Sequence, residues 1–139
     1  MTTGVLLDTH VLIARVNDKN IFGKTTQHLL RSTHKLFYSP LSIAEMRLKE
    51  EVKRKSFLAE DLVDGLAQRG YRQLALTSSA ANDITRFPAL HHHDPFDRLF
   101  LAQAATHNLL FITAGRTLTN LDLEFVHDAG AELRFLQRT

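Results

Sequence analysis

The 139-residue chain contains no cysteine. That excludes disulfides, thiolate zinc sites and cysteine nucleophiles together, and it fits a reducing, cytoplasmic setting. No apolar run approaches the length needed to span a bilayer, so no membrane association is expected. The opening segment, Met1 to Val16, lacks a basic leader, and Asp8 interrupts its apolar stretch, so it does not read as a secretory signal. Charge of one sign is scarce as well: 17 Lys and Arg against 15 Asp and Glu leave a formal net charge of +2. Such mild basicity is compatible with a nucleic-acid substrate and argues for none by itself. There is no internal repeat, linker or low-complexity stretch, and the length suits one domain, residues 1–139, around one core.

What is present is a 44% hydrophobic composition arranged in short buried runs separated by longer helical patterns. Gly4 to Asp8 reads as a buried strand, followed by a helix from about Thr9 to Val16 and a second over Lys24 to Thr33. Leu36 to Tyr38 reads as a strand. Ser39 and Pro40 then open a helix that runs towards Lys55, with Ser39 as N-cap and Pro40 at the first helical position. A helix over Ala59 to Gln68 is stopped by Gly70. Arg72 to Leu76 reads as a third strand, and Thr77 to Arg86 as a helix with Ser78 a candidate cap and Pro88 ending it. Pro95 to His107 is the next helix, Leu109 to Ile112 a buried strand, then a short turn or helix and a last strand over Leu123 to Val126. This alternation predicts an α/β domain with a largely parallel sheet.

Several residues stand where chemistry is possible. Asp8 ends the first strand, and ligands gather at the carboxyl ends of strands in open parallel sheets; capping the next helix is an equal explanation. Glu45 lies on one helix face with Leu41, Leu48 and Val52. A carboxylate in an apolar stripe needs a cation or strong donors. The competing explanation is a capping box, Ser42 with Glu45, if the helix begins at Ser42; the stronger start at Ser39 favours a functional Glu45. In the stretch HHHDPFDRLFLAQA, Asp94 has the position of an N-cap, with Pro95 first in the helix and Asp97 in its first turn. Asp97 suits the helix dipole and also stands at the mouth of an apolar, buried helix, where it can face a site. His91 to His93 invite a metal reading, but adjacent histidines in a polar loop are usually solvated, and they are read as loop. Arg47, Lys49, Lys53, Arg54 and Lys55 alternate with Glu50 and Glu51, which suggests a solvated face with ion pairs more than a phosphate track.

Spacing alone does not bring Asp8, Glu45 and Asp97 together. The chain resembles the PIN-domain ribonucleases, in particular VapC-type toxins of toxin–antitoxin pairs, through LLDTHVLI near its start, SPLSIAEMRLK in the middle, and LHHHDPFDRLFLAQA followed by LLFITAGRTL. The resemblance implies a three-layer α/β/α sandwich and an acidic site holding Mg²⁺ or Mn²⁺. It places the catalytic acids at Asp8, Glu45 and Asp97, with Asp8 and Asp97 on the metal and Asp94, Thr9 and Thr113 in support. It further implies hydrolysis of RNA phosphodiester bonds, a cognate antitoxin and a homodimer. Oxygen ligands are what hard divalent ions prefer, and a cation offsets the repulsion of gathered carboxylates. One departure stands out. The family carries an acid after the fourth strand, in a pattern like Thr-x-Asp, where this chain has Thr113, Ala114 and Gly115. The loss admits an alternative: a degenerate domain that binds RNA or antitoxin with weak or no cleavage. A haloacid-dehalogenase-type phosphotransferase is disfavoured, since the second acid it needs two residues after Asp8 is His10.

Overall fold

A computed structural model describes residues 4–33, 35–54 and 60–131. The chain enters through β1 (Val5–Leu7), whose three residues are all buried. It continues through α1 (Thr9–Val16), α2 (Lys24–Ser32), β2 (Leu36–Tyr38), α3 (Pro40–Lys53), α4 (Leu62–Gln68), β3 (Arg72–Gln73) and α5 (Ser78–Asn82). After two short 3-10 turns come α6 (Pro95–Thr106), β4 (Leu110–Thr113), α7 (Arg116–Thr119) and β5 (Val126–Asp128). The five strands form one sheet in the order β3-β2-β1-β4-β5, every pairing parallel.

Alternate residues of the central strands feed two cores. Val5, Leu7 and Ile112 pack with Val11, Leu12, Leu30, Met46 and Leu66 of α1 to α4 on one face. Leu6 and Phe111 pack with Phe100, Leu101, Ala104 and Leu118 of α6 and α7 on the other. With helices on both faces, no residue of β1 can be polar, which is why the strand reads as an unbroken apolar run. The architecture is therefore the expected three-layer α/β/α sandwich with a parallel sheet. The order also fixes where a site belongs. From β1 the chain builds outward to β2 and β3, then returns to add β4 and β5 on the other side. The reversal opens a crevice between the carboxyl ends of β1 and β4.

Local signals set most boundaries. The Ser39 hydroxyl accepts the Leu41 N–H at 3.1 Å, and Pro40 occupies the first turn, so α3 starts there and Glu45 is not part of a capping box. The expected helix ends at Lys55 and Ala59 lie outside the described residues. Several expectations are corrected. The third strand pairs only over Arg72–Gln73, and the fourth runs one residue later than its apolar run suggests. The helix after Thr77 breaks at Asn82 into a 3-10 turn, and Pro88 opens a second such turn instead of ending a long helix. Thr77, not Ser78, caps α5 by accepting the Ala80 N–H at 3.2 Å. The last strand lies at Val126–Asp128, not Leu123 to Val126, because an edge strand with a neighbour only at β4 needs just Val126 in the core. On α3, Leu48 and Val52 do not form a buried stripe with Leu41 and Glu45: they are 48% and 84% exposed, and the helix buries Ser42 and Met46.

Two glycines differ in what surrounds them. A Cβ on Gly23, the N-cap of α2, would overlap the backbone carbonyl of Ala131, whereas one on Gly65 within α4 meets nothing within 4 Å. Gly23→Ala is expected to destabilise the fold by roughly 1–3 kcal/mol, the usual penalty of forced overpacking. Gly65→Ala is expected to stabilise it by about 0.4–1 kcal/mol through unfolded-chain entropy and helix propensity. Urea unfolding of the two variants beside the parent chain checks both signs.

Candidate active site

The first acid stands at the crevice. Asp8 follows β1 directly, caps α1 and is 7% exposed. Its Oδ1 accepts the Thr9 N–H at 2.7 Å, and its Oδ2 accepts the Thr113 hydroxyl, from the end of β4, at 2.6 Å. The Thr113 oxygen in turn accepts the Gly115 N–H at 3.0 Å. Capping and site are thus one arrangement: the carboxylate that starts α1 is also the group that ties β1 to β4.

The second acid arrives on α3. The Thr9 hydroxyl donates to Glu45 Oε1 at 2.5 Å. Its oxygen also lies 2.9 Å from the Ser42 hydroxyl; since Thr9 has one hydroxyl hydrogen, Ser42 is the donor of that pair. Ser42 is fully buried, and sequence reasoning gave it no part in the site. The signal was present in its spacing, because residues three apart share a helix face.

Asp97 is the third residue of α6, behind Asp94, whose Oδ1 accepts the Phe96 N–H at 2.9 Å, and Pro95. An acid at the third position often reaches back to the N-cap N–H. Here its Oδ2 instead meets His93 Nε2 at 2.9 Å. His93 therefore does not fit the reading of the three histidines as plain loop. Its neighbours do: His91 and His92 are exposed and lie against each other at 4.1 Å between ring centroids.

The charges of these groups act on one another. The Asp8 carboxyl titrates above its ordinary range, chiefly because burial penalises its charge; the Thr113 and Thr9 bonds oppose the rise, repulsion from Asp97 adds to it, and His10 attracts the anion. Asp97 is raised too, first by burial, with the His93 bond opposing and repulsion from Asp94 and Glu45 adding. So Asp8, Glu45, Asp94 and Asp97 share one locality. Asp128, at the end of β5, instead accepts the Gly130 N–H on its Oδ1 at 2.9 Å.

Cations border the acids. Lys49 Nζ lies 3.4 Å from His10 Nε2. A cleft of about 300 Å³ is lined by Glu45, Leu48, Lys49, Val52, Lys53, Asp94 and Phe96. The larger cleft, about 420 Å³, lies beside Arg15, Lys19 and Arg31 at the opposite end of α1 from Asp8. On α3 Arg47 pairs with Glu50 at 2.8 Å, an ion pair as expected, but the Glu50 side chain is only 12% exposed, so this face is not wholly solvated.

A family model for the PIN domain matches residues 5–123. The chain belongs to the PIN-domain family. Its fold recurs in solved structures. A DNA-bound VapBC from Salmonella typhimurium aligns with a TM-score of 0.65 at 18% identity, covering 92% of this chain and 98% of that one. A toxin–antitoxin complex from Klebsiella pneumoniae aligns at 0.60 and 18%, covering 88% and 95%. VapBC-5 from Mycobacterium tuberculosis aligns at 0.58 and 18%, covering 93% and 99%. No curated protein matches the sequence closely enough to count as a relative.

Asp8, Glu45 and Asp97 bring carboxylate oxygens to one locality, and burial raises the proton affinity of Asp8. Among the described residues no group of three or more histidines, aspartates or glutamates is placed to hold a metal ion. The carboxylate set fits Mg²⁺ or Mn²⁺, which bind through one or two carboxylates and keep several waters, better than an ion needing a full protein shell. Gly115 supplies no acid, but its backbone does not demand glycine: φ is −72°, and a Cβ there would sit an ordinary 3.4 Å from the Thr113 hydroxyl.

Burial and repulsion make ionisation of Asp8 work against folding when no cation is bound. A raised carboxyl contributes stability that is full below its unfolded pKa and is lost as pH rises through the folded value. Asp8→Asn removes this loss. In EDTA at pH 7 the variant is expected to melt above wild type, by about 2–4 °C per kcal/mol relieved. The gap should close as pH falls towards about 4, the ordinary carboxylate range. Differential scanning calorimetry across that range checks it; a variant that melts lower than wild type at every pH contradicts it.

Proposed function

We propose that this PIN domain, residues 1–139 acting as one unit, is a metal-dependent endoribonuclease and the VapC-type toxin of a type II toxin–antitoxin pair. The observation that carries the reading is the Asp8 carboxylate, buried at the switch point of the sheet with Asp97 and Glu45 close enough to perturb the site. Such crowding of acids is unfavourable unless a cation answers it.

In this reading Asp8 and Asp97 hold Mg²⁺ or Mn²⁺, with Glu45 as the third catalytic acid. A divalent ion held there would lower the pKa of a water, making hydroxide available as nucleophile, and would offset the charge of the phosphate. The chain's own residues do the positioning. Thr113 and the Thr9 N–H fix the two oxygens of Asp8, and the Thr9 hydroxyl, itself held by Ser42, fixes Glu45. Asp94 anchors the start of α6 and so the place of Asp97. Lys49 and Lys53, in the cleft beside Glu45 and Asp94, give the flanking phosphates of an RNA strand a counter-charge. The same reading includes a cognate antitoxin, a homodimer and a cytoplasmic location. It is supported by solved neighbours named as VapBC or toxin–antitoxin complexes and by the match to the PIN family. No helix among the described residues is long and apolar enough to cross a membrane.

Cleavage of a mixed tRNA and single-stranded RNA substrate tests it. Wild type is expected to cut with Mg²⁺ or Mn²⁺ and to stop in EDTA. Asp8→Asn and Asp97→Asn should each lower the rate by roughly a hundredfold or more, and Thr113→Val by about tenfold through loss of support to Asp8. Cutting that persists in EDTA, or in both Asn variants, rejects the mechanism.

Gly115 favours a second reading, a degenerate PIN domain that holds RNA or antitoxin and cuts weakly. In that case folded wild type is inactive on several RNAs, and Gly115→Asp, for which the backbone has room, gains metal-dependent cleavage.

A further inference from the structure

The loop before α6 is built to deliver one side chain. The His93 N–H donates to the Leu90 carbonyl at 2.8 Å, closing a turn after the 3-10 segment Pro88–Leu90. His92 accommodates that turn in the left-handed region, at φ +76°, where a residue with a Cβ is uncommon. His93 follows and places its ring against Asp97, four residues on and across the N-cap. Both side chains are little more than a quarter exposed, at 29% and 27%. This is no ordinary helix-start contact. Asp94 already does the capping, and the acid that would normally reach back to the N-cap is held by a ring from outside the helix.

The hydrogen bond divides the two oxygens of Asp97. Beside an ionised carboxylate, Nε2 is the donor, so Oδ2 is committed to His93 and Oδ1 is left for another partner. The repulsion exerted by Asp94 and Glu45 would otherwise favour rotation of the carboxylate away from them. Partners of this kind fix the orientation of a metal-ligating carboxylate, and losing one typically weakens metal affinity 10–100-fold.

We propose that His93 is a positioning residue: its Nε2–H holds Asp97 Oδ2 so that Oδ1 is presented to the cation shared with Asp8. The proposal rests on the metal-site reading above and adds to it a residue that does not itself ligate. It separates His93 from its neighbours, since His91 and His92 have no comparable contact with an acid among the described residues.

The test compares the full chain with His93→Ala and with His93→Gln, whose side-chain amide can present an N–H at nearly the place of Nε2. Binding of Mn²⁺ alone is followed by electron paramagnetic resonance of the free ion, and the Mg²⁺ dependence of RNA cleavage is measured in parallel. Circular dichroism and melting establish that each variant is folded. The expected result is an affinity for Mn²⁺ about 10-fold or more weaker in His93→Ala and largely restored in His93→Gln. The Mg²⁺ needed for half-maximal cleavage should rise in step, while the rate at saturating Mg²⁺ changes much less. His93→Ala binding Mn²⁺ as wild type does overturns the proposal and leaves the metal site standing. His93→Gln as weak as His93→Ala also overturns it, in favour of direct ligation by the ring. Folded wild type that binds no Mn²⁺ overturns the metal-site reading and this proposal with it.

Discussion

A carboxylate buried between two strands is the constraint around which this fold is arranged. Burial there penalises the charge of Asp8, and the N–H from Thr9 and the hydroxyl from Thr113 that its oxygens receive oppose that penalty. An unpaired buried carboxylate would cost several kcal/mol, and removing either donor returns part of that penalty. The donors stand where they do because β1 and β4 are neighbours in the sheet, with Leu7 in register with Ile112. Strand order, register and site chemistry are one fact seen at three scales.

The same logic extends outward. Thr9 faces Glu45 and Ser42 because α1 crosses α3 on one side of the sheet, so two acids are joined through one threonine. On the other side α6, whose Phe100, Leu101 and Ala104 are wholly buried, can scarcely move against the sheet. Its first turn therefore brings Asp97 to a fixed place, and the remaining freedom, rotation of the carboxylate, is what His93 restrains. Packing sets position and hydrogen bonds set orientation, which is the usual division of labour in a preorganised site.

Much of this was legible in the sequence, for reasons that differ by element. The start of α3 at Ser39 and Pro40, and of α6 at Asp94 and Pro95, is written in cap chemistry that acts over a few residues. β1 and β2 are bounded by equally local signals. The face of α3 was not legible, because Leu48 and Val52 have the right periodicity for burial yet line an open cleft beside Glu45 and Phe96. The edge strand β5 was misplaced because its pairing depends on β4, not on its own composition. At the site, the resemblance named Asp8, Glu45 and Asp97, and their association spans too much chain to be read from spacing. Ser42 and His93 went unassigned because each acts through another side chain, and such roles appear only when the partner's position is known.

The Asp8–Thr113 bond closes a separation of 105 residues. A ribosome making this chain has produced Asp8, Thr9 and Glu45 long before β4 exists to meet them. Until then Asp8 lacks its second donor and the crevice lacks its far wall, so the acids have nothing to converge upon. The site thus comes into being only in the step that inserts β4 beside β1.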